Sequence, residues 1–171
     1  EGLTVVDLMR RAGIEITTVS IKDTREVTTS HGITLLTDRL FKDTDFSDGD
    51  MLVLPGGMPG TVNLGAYEPL VELLKKYYAE GKKVAAICAA PSIFAKLGFL
   101  KGRRATSYPS FLDQQSGTVI TEDSVVSDGN VTTSRGLGTA IDFALSLITQ
   151  LEGGKKAEEI ADSILYSREI V

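Results

Sequence analysis

The 171-residue chain is 42% hydrophobic and 24% charged, which is typical of one globular domain with a core that needs no disulfide. Its net charge of −5 argues against a nucleic-acid partner, because phosphate binding requires a basic face. No apolar run approaches the ~18 residues of a membrane span, so no membrane partner is expected. The single cysteine, Cys88, excludes an intrachain disulfide and makes the reducing cytoplasm the expected compartment.

The first half of the chain alternates helical and extended patterns. Apolar spacing over residues 3–12 predicts a helix that ends at Gly13, and the β-branched stretch 14–21 predicts a strand. Residues 27–36 are expected to be extended, with an interruption at 30–32. The later predictions are a strand Met51–Leu54, an irregular Pro- and Gly-rich loop 55–60, a helix 68–80, a buried strand 84–88 and a short helix 91–98.

Shorter strands and two helices complete the chain. The strands are predicted at 105–108, 118–120, 124–126 and 131–134, with a hairpin turn at 128–130. The helices are predicted at 141–151 and 155–166. This alternation of helices and buried strands predicts a single α/β domain over residues 1–171, built as a sandwich with a mostly parallel sheet.

The chain opens with a helix, which is unusual for such a fold. In a doubly wound sheet, the first helix normally follows a strand near the middle of the sheet. Without that strand, its neighbours would carry unpaired backbone groups, each costing about 1–3 kcal/mol when buried. We therefore expect a first strand that precedes the sequence given.

Cys88 lies where the strand 84–88 gives way to a helix that starts at Pro91. Backbone N–H groups at a helix start favour a thiolate, so Cys88 is a candidate nucleophile, with an inert buried thiol as the alternative. The loops 55–60 and 134–139 also follow strands and converge on the same edge. The second loop lacks the glycine spacing of a phosphate-binding loop, and no His, Cys and carboxylate cluster has metal-ligand spacing.

Three motifs and the opening helix carry a resemblance to a known family. The motifs are Leu54-Pro55-Gly56-Gly57, Ala85-Ala86-Ile87-Cys88-Ala89-Ala90-Pro91 and Thr133-Ser134-Arg135-Gly136-Leu137-Gly138-Thr139, and the helix is 3–13. In this order they resemble the ThiJ/PfpI superfamily, which has a class I glutamine amidotransferase-like fold. The resemblance implies a flavodoxin-like three-layer sandwich.

The resemblance also implies roles for four residues. Cys88 matches the family's reactive cysteine on a nucleophile elbow, and Glu1 matches a glutamate six residues ahead of the helix aspartate, here Asp7. By resemblance, that glutamate is protonated and donates a hydrogen bond to the thiolate. Gly57 and Ala89 match the positions whose backbone N–H groups form an oxyanion pocket.

His31, Tyr108 and Arg135 are candidate neighbours of a substrate or of a dimer contact. Tyr108 stands where several family members have a histidine, so the base of a Cys–His peptidase site is missing. His31, the only histidine, matches a region near the partner site of dimeric members, with a plain exposed loop residue as the alternative. By resemblance, a homodimer built on the first helix and the His31 region is expected.

The leading functional hypothesis is an enzyme of the glyoxalase or deglycase type. It would act on a small aldehyde or a glycated substrate, with Cys88 as nucleophile, Glu1 as proton carrier, and neither cofactor nor metal. The alternative is an oxidative-stress sensor in which the same thiolate becomes a sulfinate. An intracellular cysteine peptidase or amidase is a third hypothesis, which Tyr108 weakens.

Overall fold

The computed structural model describes residues 1–113 and 116–167 of the chain. Its helices are α1 (Gly2–Arg11), α2 (Gly60–Ala66), α3 (Glu68–Ala79), α4 (Pro91–Lys96), α5 (Ala140–Glu152) and α6 (Gly154–Ser163). Its strands are β1 (Val19–Ser20), β2 (Glu26–Thr28), β3 (Thr34–Leu36), β4 (Arg39–Leu40), β5 (Met51–Leu54), β6 (Lys83–Ile87), β7 (Arg104–Ala105), β8 (Val119–Ile120), β9 (Val125–Asp128) and β10 (Val131–Ser134).

Four strands form the sheet at the centre of the molecule, in the order β5-β6-β10-β9. Strands β5, β6 and β10 are parallel to one another, and β9 is antiparallel to β10. Val84 on β6 lies opposite Leu52 on one side and Val131 on the other, so β6 is paired along both edges. The sheet is mostly parallel, as predicted, and the carboxyl ends of β5, β6 and β10 meet at one edge.

The side chains of β6 alternate between two apolar layers. Ala85 and Ile87 pack in the layer that contains α1, α5 and α6. Val84 and Ala86 pack in the layer that contains α3 and α4. All four side chains are fully buried, as expected for a parallel strand covered by helices on both faces. The predicted three-layer α/β sandwich is therefore confirmed.

The strand predicted over 14–21 is reduced to Val19–Ser20, which pairs in parallel with β4. The N–H of Thr18 donates to the carboxylate of Asp38 at 2.8 Å. A side chain here takes the place of a strand partner, so regular pairing begins only after Thr18.

The strand predicted over 105–108 is reduced to Arg104–Ala105 for a similar reason. The N–H of Thr106 donates to the hydroxyl of Thr133 at 3.0 Å rather than to a strand carbonyl. The chain then leaves the ladder and passes the carboxyl end of β6, where Tyr108 contacts Cys88.

The sequence pattern does not predict α2, which follows the loop 55–60. The carbonyl of Gly57 accepts the N–H of Thr61 at 2.9 Å and its hydroxyl at 3.0 Å. These bonds join the first turn of α2 to the loop, so both are fixed as one unit beside β5.

In the described part of the chain, no helix combines the length and apolarity needed to cross a membrane.

The β1–β4 pair forms a ladder separate from the four-stranded sheet. The further strand expected before α1 stays a prediction.

Candidate active site

Cys88 occupies the sharp turn between β6 and α4. Its φ is 65°, in the left-handed region that non-glycine residues rarely adopt. The Cys88 N–H donates to the carbonyl of Ser134 at 3.0 Å, and its carbonyl accepts the N–H of Tyr108 at 2.9 Å. The segments that follow β10 and β7 therefore hold the turn from both sides.

Glu1 stands at the start of α1, beside Cys88. Its Oε2 accepts the N–H of Gly56 at 3.2 Å, and its carboxyl lies close enough to the Cys88 thiol to raise the pKa of that thiol. Val5 and Leu8 on α1 are buried in the core. Because this apolar face fixes the helix against the sheet, the first residue of the helix is brought to the edge where β5 and β6 end.

The loop after β5 passes so close to Cys88 that only glycine fits at position 56. A Cβ on Gly56 would stand 2.5 Å from Cys88 Cβ and 2.9 Å from Glu1 Oε2. The next residue, Gly57, has a φ of +90°. The N–H groups of Gly57 and Ala89 face the thiol and lower its pKa. The structure thus brings Glu1, Gly57 and Ala89 together around the sulfur.

The Cys88 thiol has a raised pKa. Burial is the largest cause, and the negative charge of Glu1 and its hydrogen bond to the thiol raise the pKa further. The N–H groups of Ala89 and Gly57 lower the pKa, but by less. The backbone donors thus act in the direction expected for a helix start, but burial and the charge of Glu1 outweigh them, so the net pKa of the thiol is raised. The thiol proton needs an acceptor, and Glu1 lies beside it. This arrangement is the reverse of the protonated glutamate and thiolate that the resemblance implies.

Tyr108 borders the site across from Glu1, with Gly136 between them. A Cβ on Gly136 would stand 3.6 Å from Tyr108 Cδ2 and 3.9 Å from Glu1 Oε1. The Tyr108 side chain is half-exposed, and its ring lies edge-on to that of Phe111 with 6.2 Å between centroids. An aromatic wall therefore stands where the peptidase hypothesis requires a histidine.

Ser30 and His31 lie in the turn between β2 and β3, against Gly57. A Cβ on Gly57 would stand 3.0 Å from Ser30 Oγ, and Ser30 Oγ is 3.3 Å from Nδ1 of His31. His31 therefore belongs to the rim of the site within its own chain. The hydrogen bond of its ring is made to Ser30 rather than to Cys88.

Arg135 directly precedes Gly136, but its guanidinium is engaged by Glu122. Nη1 donates to the Glu122 carbonyl at 3.0 Å and lies 3.7 Å from the Glu122 carboxylate. Of the three candidate neighbours, Tyr108 and His31 border the site, whereas the charged end of Arg135 is turned to the 121–124 segment.

Gly56, Ser30 and Gly136 contribute to the site without having been assigned a role from sequence. The signal for Gly56 was present, since two glycines directly after a buried strand are typical of a close backbone approach. The positions of Ser30 and Gly136 depend on how distant segments pack against the strand ends. No local sequence pattern indicates that packing.

Two surface clefts, of about 430 and 520 Å³, are lined by neither Cys88 nor its partners. The smaller includes Asp50 and Lys83, at the opposite edge of the sheet from Cys88. The larger lies between β9, α5 and α6. Within residues 1–113 and 116–167, no group of three His, Cys, Asp or Glu side chains is placed to hold a metal ion.

Residues 1–150 match the sequence profile of the DJ-1/PfpI family. The chain belongs to this family. It is 38% identical over 168 residues to Protein DJ-1 homolog A of Arabidopsis thaliana, covering 96% of the chain and 43% of that protein. It is 40% identical over 130 residues to a Pyrococcus abyssi protein named as a deglycase, covering 74% of the chain and 76% of that protein.

The solved structures of DJ-1/PfpI proteins agree with this membership. The fold superposes on Toxoplasma gondii DJ-1, described as oxidised, with a TM-score of 0.92 and 36% identity, covering 98% of the chain and 91% of that structure. The chain spans about two fifths of the length of the two Arabidopsis relatives, 43% and 38%. The resemblance expected from the motifs is confirmed.

Proposed function

We propose that this DJ-1/PfpI protein uses Cys88 to process small reactive aldehydes or glycated compounds, as a glyoxalase or deglycase without an external cofactor. The observation that carries the proposal is the position of the Glu1 carboxyl beside Cys88: Glu1 Oε2 and Cys88 Cβ lie 2.9 and 2.5 Å from the same Cβ position on Gly56, and the charge of Glu1 raises the pKa of the thiol. A nucleophile and a base in contact are the minimum for covalent catalysis on a carbonyl. A relative named as a deglycase supports the same chemistry.

The first step is the addition of sulfur to the aldehyde carbon. Because burial and Glu1 raise the pKa of Cys88, the sulfur keeps its proton until Glu1 accepts it. As the S–C bond forms, the carbonyl electron pair moves to oxygen. The N–H groups of Gly57 and Ala89 are the donors beside that oxyanion, which then takes the proton back from Glu1 and gives a hemithioacetal.

The second step moves a hydrogen within the hemithioacetal of a 2-oxoaldehyde. The Glu1 carboxylate removes the proton from the carbon bonded to sulfur and returns it to the neighbouring carbon by way of an enediol. One carbon is oxidised while its neighbour is reduced, so no external electron acceptor is required. Water then hydrolyses the Cys88 thioester and releases a 2-hydroxy acid and the free thiol.

The test is hydroxy-acid formation from methylglyoxal by the wild type, Cys88→Ser and Glu1→Gln in the full-length chain. Each variant should lose at least about 100-fold in kcat/KM, the usual contribution of a positioned nucleophile or base. Glu15→Gln removes an exposed carboxyl elsewhere and serves as the matched control. Turnover retained by Cys88→Ser would overturn the proposal.

Oxidative-stress sensing is a second candidate, because a similar protein has been solved in an oxidised form. Two molecules of hydrogen peroxide would each transfer one oxygen to Cys88 and leave as water, giving first a sulfenic and then a sulfinic acid. The Gly57 and Ala89 N–H groups would donate to the new oxygens. A stable gain of two oxygens in the intact mass, with no aldehyde turnover, favours sensing. Turnover without any oxidation at mild peroxide counts against it.

We also propose that two copies associate through α1 and the β2–β3 hairpin. Leu3, Ile33 and Leu36 are 56%, 59% and 71% exposed, so these elements present apolar side chains to solvent. The same hairpin carries His31, so a second copy would approach the Cys88 site. Light scattering at micromolar concentration should give twice the chain mass, and a monomer at every concentration tested would refute the association.

A further inference from the structure

The mouth of the Cys88 site has an apolar side. Tyr108 is 53% exposed, and Phe111 lies edge-on to its ring. The hydrogen bond from the Tyr108 N–H to the Cys88 carbonyl, 2.9 Å long, fixes the backbone of Tyr108 relative to the nucleophile, and the edge-on contact with Phe111 supports the ring. Exposed aromatic rings that are rigidly placed at a mouth are suited to bind apolar groups.

Between Tyr108 and Glu1, the surface of the site is formed by Gly136, which has no side chain. Tyr108 Cδ2 and Glu1 Oε1 approach the same point above Gly136, where a Cβ would stand 3.6 and 3.9 Å from them. Because these are ordinary van der Waals distances, the space above Gly136 can accept an atom of a substituent on the reacting carbon, between the aromatic ring and the acid.

The opposite side of the mouth is polar. Ser30 Oγ approaches Gly57 and contacts the His31 ring at 3.3 Å. Gly57 also supplies one of the N–H donors to Cys88. The carbonyl oxygen of a substrate thus has polar neighbours on one side, and its substituent has apolar neighbours on the other.

We propose that Tyr108 is a specificity-determining residue that selects carbonyl substrates with an aryl or extended apolar substituent over those with a methyl group. The inference rests on the proposed function for its substrate class, the 2-oxoaldehydes. The ring of Tyr108 contacts the substituent, and its hydroxyl takes no part. Aromatic pairing of this kind corresponds to about threefold to tenfold in rate or affinity.

The first test needs no turnover. Cys88 is the only cysteine, so its alkylation by iodoacetamide and by the phenyl-bearing iodoacetanilide can be followed by intact mass. In both reactions the sulfur displaces iodide, and only the substituent differs. The ratio of the two rate constants therefore cancels any general change in thiol accessibility.

In Tyr108→Ala we expect the iodoacetanilide-to-iodoacetamide ratio to fall threefold to tenfold, and in Tyr108→Phe we expect it to stay at the wild-type value. Val119→Ala, at a residue of similar exposure on β8, is the control. A ratio within twofold of wild type in Tyr108→Ala, or a fall in Tyr108→Phe equal to that in the alanine variant, overturns the inference.

The second test compares kcat/KM for phenylglyoxal and methylglyoxal in the same proteins. The wild type should prefer phenylglyoxal, and Tyr108→Ala should lose that preference. If the alkylation ratio shifts but neither aldehyde is consumed, the contact of Tyr108 with aryl substituents is supported and the proposed function is refuted. If both aldehydes are consumed in a Cys88-dependent way with an unchanged preference, the proposed function stands and the role of Tyr108 fails.

Discussion

The backbone N–H of Gly56 donates a hydrogen bond of 3.2 Å to Oε2 of Glu1. The two residues belong to the loop after β5 and to the start of α1. Hydrogen bonds to a charged carboxylate are among the stronger ones in proteins. The position of the acid beside Cys88 therefore depends on this loop as much as on the helix that carries Glu1.

Substitution Gly56→Ala should disrupt the site directly. Its methyl group would stand 2.5 Å from Cys88 Cβ and 2.9 Å from Glu1 Oε2, so the nucleophile and the acid must move apart. We expect a loss of about 100-fold in kcat/KM for an aldehyde, and a loss of about 1–3 kcal/mol in the free energy of unfolding. Enzyme assays and urea unfolding measure the two effects.

Gly60→Ala is the matched control for Gly56→Ala. A Cβ on Gly60 meets no atom within 4 Å. The free energy of unfolding of Gly60→Ala should stay within about 0.5 kcal/mol of wild type, and its kcat/KM within twofold. Equal effects of the two substitutions would contradict the close approach at Gly56.

Glu1→Gln should shift the titration of Cys88 toward lower pH. Burial and the Glu1 charge raise the pKa of the thiol, so alkylation of the wild type should rise to its plateau above the ordinary thiol range of about 8.5. Removing the negative charge removes one cause and leaves burial. The pH dependence of alkylation by iodoacetamide measures the midpoint.

Glu1→Gln separates the two roles of Glu1, which are to raise the pKa of the thiol by its charge and to carry the proton during turnover. Alkylation near neutral pH should become faster because more thiolate is present, whereas aldehyde turnover should fall because the proton carrier is lost. If alkylation and turnover change in the same direction, Glu1 does not act on Cys88 as described.

Tyr77→Phe should lower stability in a way that depends on alkaline pH. The buried Tyr77 hydroxyl donates to the Phe46 carbonyl at 2.7 Å, and burial followed by the charge of Asp48 raises its pKa. A raised pKa of this kind gives stability that is complete below about pH 10, the unfolded value, and is lost as pH rises through the folded value.

The free energy of unfolding of Tyr77→Phe should therefore lie about 1 kcal/mol below wild type at pH 7. The gap should close above pH 10. Tyr108→Phe, at a half-exposed ring, is the control and should unfold as the wild type does at both pH values. A gap that widens with rising pH would contradict the account.

Asp38→Asn should lower stability at neutral pH but not in acid. The Thr18 hydroxyl, the Thr18 N–H and Arg10 all donate to Asp38 Oδ2, and these contacts lower the pKa of its carboxyl. A lowered pKa gives stability that is present above the unfolded value of about 3.9 and is lost as pH falls through the folded value.

At pH 7, we expect the free energy of unfolding of Asp38→Asn to lie less than about 1 kcal/mol below wild type, since the Asp38 carboxylate is exposed. Near pH 2, we expect no difference from wild type. Asp23→Asn, whose carboxylate is 98% exposed beside Lys42, serves as the control. Urea unfolding at the two pH values would measure the difference, and an equal loss at both would show that the charge of Asp38 is not the cause.

Continuous apolar runs made the central strands predictable. Met51–Leu54 and the run that begins at Val84 are too apolar and too short for anything but buried strands, and both lie in the four-stranded sheet. The limits of β1 and β7 were not predictable, because side chains from elsewhere in the chain set them, and the sequence pattern did not indicate α2. The bond from Thr106 to Thr133, which ends β7, joins residues 27 positions apart.

The site was predictable in its membership but not in its electrostatics. The motifs indicated Cys88, Glu1, Gly57 and Ala89, and these residues lie together. The direction of the pKa change at Cys88 depends on how completely the sulfur is buried and on the charge of Glu1. Both follow from packing between segments far apart in sequence, so the helix-start argument gave the effect of the backbone donors but not the net direction of the pKa change.

The strained turn at Cys88 has a consequence for biosynthesis. Its left-handed conformation is held by Tyr108 and Ser134, which lie 20 and 46 residues further along the chain. A nascent chain that has emerged only as far as α4 contains the cysteine but neither of the residues that bind its backbone. The turn at Cys88 is therefore completed late in synthesis, when β10 joins β6. A ribosome-stalled series of increasing length, probed by alkylation of Cys88, would reveal the chain length at which the turn forms.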